Sequence, residues 1–270
     1  MSKLIYDLDF RDYQESEGLN HSSLKNLYPP NTPLDFWWHK HHPRKPTDSQ
    51  NFGSAAHIAV FEHERFDDAI VIAPQCDRRT KAGKEEYNAF LDTASGKIIL
   101  TQEELDSCFY IIEACQNHEI LKDYLADKNA KYEVSGYFDY KDVPLKFRTD
   151  YMNPEIKLIL DLKTTKAGHK RSFQRSVLDF CYHSQAAFYL LGMQEITGET
   201  WSDFLWITIE SGAPHKIYIW EPDTSWLIHA MNLIDNALDV YKECIRTNSY
   251  PGVPAEINTL EIPHFLLGEI

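Results

Sequence analysis

Two apolar stretches in the second half of the chain carry its clearest pattern. Residues 157–163 form a short run rich in Ile and Leu, with the length and composition of a buried strand. Side chains alternate across a strand. Leu158, Leu160 and Leu162 therefore share one face, while Ile159, Asp161 and Lys163 share the other. Residues 144–152 also read as a strand, and Asn153-Pro154-Glu155 supplies turn chemistry between the two. The pair is expected to fold as a hairpin that carries Asp150 towards Asp161.

Helical spacing dominates elsewhere. Residues 52–62 combine Gly53, Ala56 and Val60, which permit close packing, in an apolar helix from which His57 projects. Gln185 and Tyr189, four apart, share one helix face. Thr101 and Glu104 form a capping box ahead of a helix with Leu105, Cys108, Ile112 and Cys115 on one side. Residues 133–140, opened by Glu133, read as a strand, as do 201–209 and 216–220, the last two joined around Ser211-Gly212-Ala213-Pro214. Asp223 or Thr224 caps a long helix running through Lys242 and ending before Tyr250-Pro251-Gly252. The tail, 253–270, is apolar but irregular and is expected to pack on the domain or on a neighbouring subunit. The pattern is α/β. The chemistry-bearing segments are spread along it, so residues 1–270 are expected to form one domain.

Composition excludes several classes. No apolar run is long enough to cross a bilayer, and no signal-peptide pattern is present. Cys76, Cys108, Cys115, Cys181 and Cys244 contain no Cys-x-x-Cys pair, which argues against a zinc ribbon and fits a reducing cytoplasm. His39, His41 and His42 lie beside Pro43, Arg44, Lys45 and Pro46 and are expected in a solvated loop.

Candidate chemistry centres on Asp150, Asp161 and Lys163. Two carboxylates at a strand end can hold Mg²⁺, a hard cation that prefers oxygen ligands. Such an ion activates water and neutralises charge in phosphoryl displacement, while a lysine orients the water or stabilises the transition state. The plainer reading is a surface ion pair, the usual fate of an isolated Asp-x-Lys. A second copy, Asp139-Tyr140-Lys141, is followed by Asp142-Val143-Pro144 and reads as such a hairpin turn. Taken alone, His57 fits a hydrogen-bonded core histidine, and residues 185–189 fit an ordinary amphipathic helix.

The net charge of −14 would repel nucleic acid if spread evenly. It is segregated instead. No acid falls between Asp161 and Asp179, where Lys163, Lys166, Lys170, Arg171 and Arg175 occur. Arg78, Arg79, Lys81 and Lys84 form a second cluster. Either cluster suits salt-sensitive gripping of a phosphate backbone without base specificity; the plain alternative is two solvated loops.

The order Gly53, His57, Asp150, Asp161-x-Lys163, Gln185-x-x-x-Tyr189 resembles the RecB-type branch of the PD-(D/E)XK nucleases. Within it, the pattern is most similar to the RecE (exonuclease VIII) nuclease-domain family. The segment Asn20-His21-Ser22-Ser23-Leu24-Lys25 and the basic stretch at 78–84 extend the likeness over most of the chain. The resemblance implies a central mixed β-sheet flanked by helices. It implies His57, Asp150, Asp161 and the Leu162 carbonyl as metal ligands, with Glu133 as an extra carboxylate. Lys163 would assist the attacking water, and Gln185 and Tyr189 would support the site and touch the DNA backbone. Mg²⁺ is the implied cofactor, with Mn²⁺ substituting because imidazole suits it better. It further implies a 5′→3′ exonuclease acting on ends of linear double-stranded DNA and leaving 3′ single strands for a RecT-like annealing protein. The setting would be the cytoplasm of a bacterial or phage-infected cell, and the assembly a homo-oligomeric ring, a tetramer being favoured. The 78–84 cluster is the favoured holder of the 5′ phosphate. The alternatives are a structure-specific endonuclease, a non-catalytic DNA-binding module and a hydrolase of small phosphoesters.

Overall fold

In the computed structural model, which describes residues 2–262, helices and strands interleave along the chain. The first half contains β1 (Lys3–Ile5), α1 (Phe10–Glu15), β2 (Leu19–Asn20), α2 (His21–Leu24), α3 (Pro33–His41), α4 (Asp48–Phe61), α5 (Phe66–Ala69), β3 (Ile70–Ile72), α6 (Lys81–Thr93), β4 (Ile98–Leu100), α7 (Gln102–Asn117) and α8 (Leu121–Leu125). Then follow β5 (Lys131–Tyr140), β6 (Val143–Asn153), β7 (Leu158–Thr165), α9 (Lys170–Asp179), α10 (Tyr182–Thr197), β8 (Asp203–Glu210), β9 (Ile217–Trp220) and α11 (Thr224–Thr247). The main sheet runs β1-β5-β6-β7-β8-β9, with β2 against β6. Within it, β7–β8 and β2–β6 are parallel and the other pairs antiparallel, so the expected mixed sheet is present; β3 and β4 form a separate parallel pair.

The predicted hairpin forms in the register Tyr151↔Leu160 and Asn153↔Leu158. Its alternation divides the core in two. Leu158, Leu160 and Leu162 pack with Phe52, Ala55, Ala56 and Ala59 of α4 and with Cys108, Ile111 and Cys115 of α7. Ile159 packs on the opposite face, with α10 and α11. Asp161 and Lys163 therefore point towards α10. The parallel β7–β8 pair requires a crossover, which α9 and α10 supply.

Close approach of α10 depends on two glycines. A Cβ at Gly136 of β5 would come within 2.3 Å of the Phe147 ring, and one at Gly192 of α10 within 2.4 Å. Both leave room for Phe147, and the helix settles onto the sheet over the site.

Several sequence expectations shift in detail. The strand containing Glu133 begins at Lys131, and the C-terminal helix runs past Lys242 to Thr247, where Asn248 ends it in a left-handed conformation. His39 and His41 belong to α3 and His42 caps it, so they do not form a loop; His41 and His42 ring nitrogens meet the Trp37 and Trp38 carbonyls. Lys81 and Lys84 lie in the first turn of α6, because Thr80 caps a helix there. The tail does not pack on the domain over residues 253–262: Val253, Ile257 and Leu260 are 77%, 101% and 99% exposed. Residues 263–270 of that tail lie outside the described residues.

Candidate active site

The site is built at the point where β6 and β7 run beside the helix α4. Small buried residues, Ala55, Ala56 and Ala59, seat α4 on the sheet, and Gly53 approaches Thr164 Oγ1. His57 then projects between the strands. Its Nε2 meets the Leu162 carbonyl at 2.8 Å, and its Nδ1 lies 3.2 Å from Asp150 Oδ2. Asp150 Oδ2 also accepts the Leu162 N–H at 2.8 Å. Burial opposes protonation of His57, but the Asp150 carboxylate outweighs it and holds the imidazole up at about 9. Burial likewise opposes ionisation of Asp150, yet His57, Lys163 and the Leu162 N–H hold its carboxyl below the ordinary range.

Glu133 is a full member of this cluster. Ligand atoms of His57, Glu133 and Asp150 lie within 4.8 Å of one another. Glu133 sits in β5 with φ at 51°, a left-handed conformation that costs a non-glycine residue about 1–3 kcal/mol. The ladder pairs Tyr132↔Tyr151 and Val134↔Thr149 on either side of it. Burial and the neighbouring Asp150 push its carboxyl up to about 7, against the pull of Arg148. Arg148 holds it in place: Nε donates to Glu133 Oε2 at 2.7 Å, and Nη1 donates to the Leu8 carbonyl and Ser135 Oγ. Sequence reading passed over Arg148. Strand alternation puts it on the Asp150 face, opposite Ser135, so its position was recoverable once β5 and β6 were paired.

Asp161 occupies a different place from the other expected ligands. It is 1% exposed and lies 2.6 Å from Lys163 Nζ through Oδ2. Its Oδ1 accepts from Gln185 Nε2 at 2.9 Å, and the same amide donates to Tyr189 Oη at 3.1 Å. Burial raises the Asp161 carboxyl to about 6, with Lys163 pulling the other way. Lys163, although buried, is held a cation by Asp161 and Asp150. It also lies 4.7 Å from the centroid of the Tyr182 ring, a neighbour that sequence reading did not identify.

The residues fit a divalent cation. Asp161 Oδ2 is buried and held by Lys163 Nζ at 2.6 Å, and the charges of Asp150 and His57 both act on its carboxyl. The donor set of carboxylates, one imidazole and the nearby Leu162 carbonyl suits Mg²⁺ or Mn²⁺.

The expected basic residues divide. Lys166, at the end of β7, and Lys170 and Arg171, in the first turn of α9, are exposed on the continuation of the strand that carries Lys163. In the other cluster the partners are local: Arg78 covers the Tyr87 ring, Arg79 pairs with Asp77, and Lys81 with Glu85.

The sequence matches the PDDEXK-like domain family of unknown function (DUF3799) over residues 22–261. The chain belongs to this PDDEXK-like family. Membership bears out the PD-(D/E)XK resemblance. A protein from Eubacterium rectale, provisionally described as an exonuclease, shares the fold. Its crystal structure aligns with a TM-score of 0.61 at 16% identity, covering 93% of this chain and 96% of that one. The structure of SSO0001 aligns at a TM-score of 0.31 and 14% identity, over 74% of this chain and 95% of that one, too loosely for comparison. Comparison with curated proteins gave no match. Divalent-metal dependence is typical of PDDEXK nucleases, and the His57, Glu133 and Asp150 cluster is where this member would meet it.

Proposed function

We propose that the protein is a metal-dependent exodeoxyribonuclease that degrades one strand of linear duplex DNA in the 5′→3′ direction. The observation that carries the reading is the convergence of His57 from α4, Glu133 from β5, Asp150 from β6 and Asp161 and Lys163 from β7 in a PDDEXK-like fold. The exonuclease description of the Eubacterium rectale neighbour supports it.

His57, Glu133, Asp150, Asp161 and the Leu162 carbonyl would hold the cation. When bound, the cation supplies Lewis-acid neutralisation of the phosphate and a more acidic water. Lys163 stays protonated, so it acts as a donor that orients the attacking water or meets charge developing on the phosphate. Gln185 and Tyr189 fix the Asp161 carboxylate. Lys166, Lys170 and Arg171 would hold the DNA backbone as it leaves the site. The Arg78, Arg79, Lys81 and Lys84 cluster would hold the 5′ phosphate. The exposed apolar tail residues Val253, Ile257 and Leu260 offer a surface for a neighbouring subunit in a closed ring, a tetramer in this reading. The product would be a 3′ single strand, used by a RecT-like annealing protein in recombination in the bacterial or phage-infected cytoplasm. No helix among the described residues is long and apolar enough to cross a membrane.

The deciding experiment sets linear duplex DNA against a closed circle of the same sequence, with Mg²⁺ and with Mn²⁺. Loss of the linear form alone, abolished by Asp161→Asn, is the expected result. Nicking of the circle would make the protein an endonuclease. No cleavage of either form would remove the catalytic reading. For the 5′ phosphate, Arg79→Ala should narrow the difference in rate between phosphorylated and hydroxyl ends; equal loss on both ends would count against that role.

A further inference from the structure

The turn between α9 and α10 places an aromatic surface beside Lys163. Cys181 adopts a left-handed conformation there, with φ 59° and ψ 38°, a costly state for a non-glycine residue. The reversal stacks Phe180 on Tyr182, with centroids 5.5 Å apart and planes at 29°. Tyr182 is anchored on both sides. Lys163 Nζ sits over its ring, and Phe173, itself packed on Trp206 and Trp220, lies 6.2 Å away. Among the described residues Phe180 has no such cover. It is 53% exposed, and Leu178 beside it is 54% exposed. A stack of rings therefore runs from the buried lysine of the site to solvent and ends in an open aromatic surface.

Lys170 and Arg171 lie at the opposite end of α9 from Phe180, which follows Asp179, itself paired with Arg175. Lys25 lies near both Cys181 and Lys163. Core packing accounts for Phe173 but not for a large ring left half in water against Tyr182.

We infer that Phe180, backed by Tyr182, is a stacking platform for the nucleobase next to the phosphate that Lys163 engages. The inference rests on the nuclease reading and narrows its substrate to an unpaired terminal nucleotide. A base in intact duplex already has both faces stacked, whereas a frayed or single-stranded end offers a free face. Stacking on an aromatic ring tolerates any base, and Lys163 and Lys25 are the cations available to the adjoining phosphates. Phe180 is thus a positioning residue that selects how the strand end enters.

The test compares wild type, Phe180→Ala and Phe180→Trp on single-stranded oligonucleotides. One set carries a normal terminal nucleotide, and the other an abasic residue at each end in turn. Phe180→Ala should raise KM about tenfold and lose sensitivity to the missing base, with kcat changed by less than about twofold. Phe180→Trp should restore both. The half-exposed ring can be removed without opening the core. Cleavage by wild type with an unchanged KM in Phe180→Ala, or with equal sensitivity to the abasic end, would overturn the platform and leave the nuclease reading intact. Absence of all cleavage would sink the nuclease reading separately. Binding of oligonucleotides with terminal 2-aminopurine would then decide. Quenching lost in Phe180→Ala supports the platform, and quenching equal in both proteins, or absent from both, overturns it.

Discussion

At Asp161 two demands conflict. Burial pushes the carboxyl up to about 6, while Lys163 at 2.6 Å and the Gln185 amide at 2.9 Å favour the charged form. The side chain is thereby held on both oxygens, by Lys163 at Oδ2 and by Gln185 at Oδ1. Asp161→Asn keeps the shape and removes the charge. It is expected to lower cleavage at least about 100-fold, with an unchanged circular dichroism spectrum, measured on end-labelled duplex. Arg148 is the less obvious residue. Its guanidinium pins Glu133 in a left-handed strand position. Arg148→Met should therefore weaken Mn²⁺ binding about 10–100-fold, read by calorimetry on a folded variant. Unchanged affinity would mean that Glu133 is no ligand and that Arg148 is a structural partner alone.

Helix α10 joins packing to chemistry. It presents Gln185 and Tyr189 to Asp161 only because Gly136 and Gly192 let it descend on Phe147. Gly192→Ala would force the Phe147 ring or the helix to move. The expected cost is about 1–3 kcal/mol, seen as a lowered denaturation midpoint. Activity should fall as well, since displacement at Gly192 is transmitted along the helix to Gln185. A variant that loses stability yet keeps full activity would show that the polar end of α10 is positioned independently of its glycine contact.

For the molecule as a whole, the net charge of −14 coexists with exposed cations beside the site. Each of Lys166, Lys170 and Arg171 that meets a phosphate should add about one to the slope of log affinity against log salt. Anisotropy titrations of alanine variants over a salt series would read this. Slopes that do not change would place the DNA elsewhere. Stability also has a pH signature. His21 is buried, bonded to Ser184 Oγ at 2.7 Å, and burial first, then Lys25 and Lys163, hold it well below its ordinary 6.5. Above 6.5 both folded and unfolded states are neutral. Below it the unfolded chain binds a proton that the folded chain refuses, so stability falls as pH falls until the folded pKa is reached. The slope contributed is at most about 1.4 kcal/mol per pH unit. His21→Gln should flatten it between about pH 6.5 and 5 in denaturant titrations; an identical slope would assign the loss to other groups.

Local periodicity was enough to place the β6–β7 hairpin, the facing of Asp161 and Lys163, the helix bearing His57 and the Gln185–Tyr189 pair. Each depends on spacing within a few residues, which a strand or helix repeats reliably. The order of motifs was enough to place the chain among PD-(D/E)XK proteins, and the family match bears that out. Other features depended on contacts between distant segments. Glu133 joined His57 and Asp150 because β5 lies beside β6, and its strained backbone has no local signal. Arg148 acquired its role from Glu133, Ser135 and Leu8, which no single stretch contains. The ring stack from Lys163 to Phe180 required a left-handed Cys181 to turn one helix back against the next. Alternation dictates which way a side chain faces, but only the packed chain dictates what it meets.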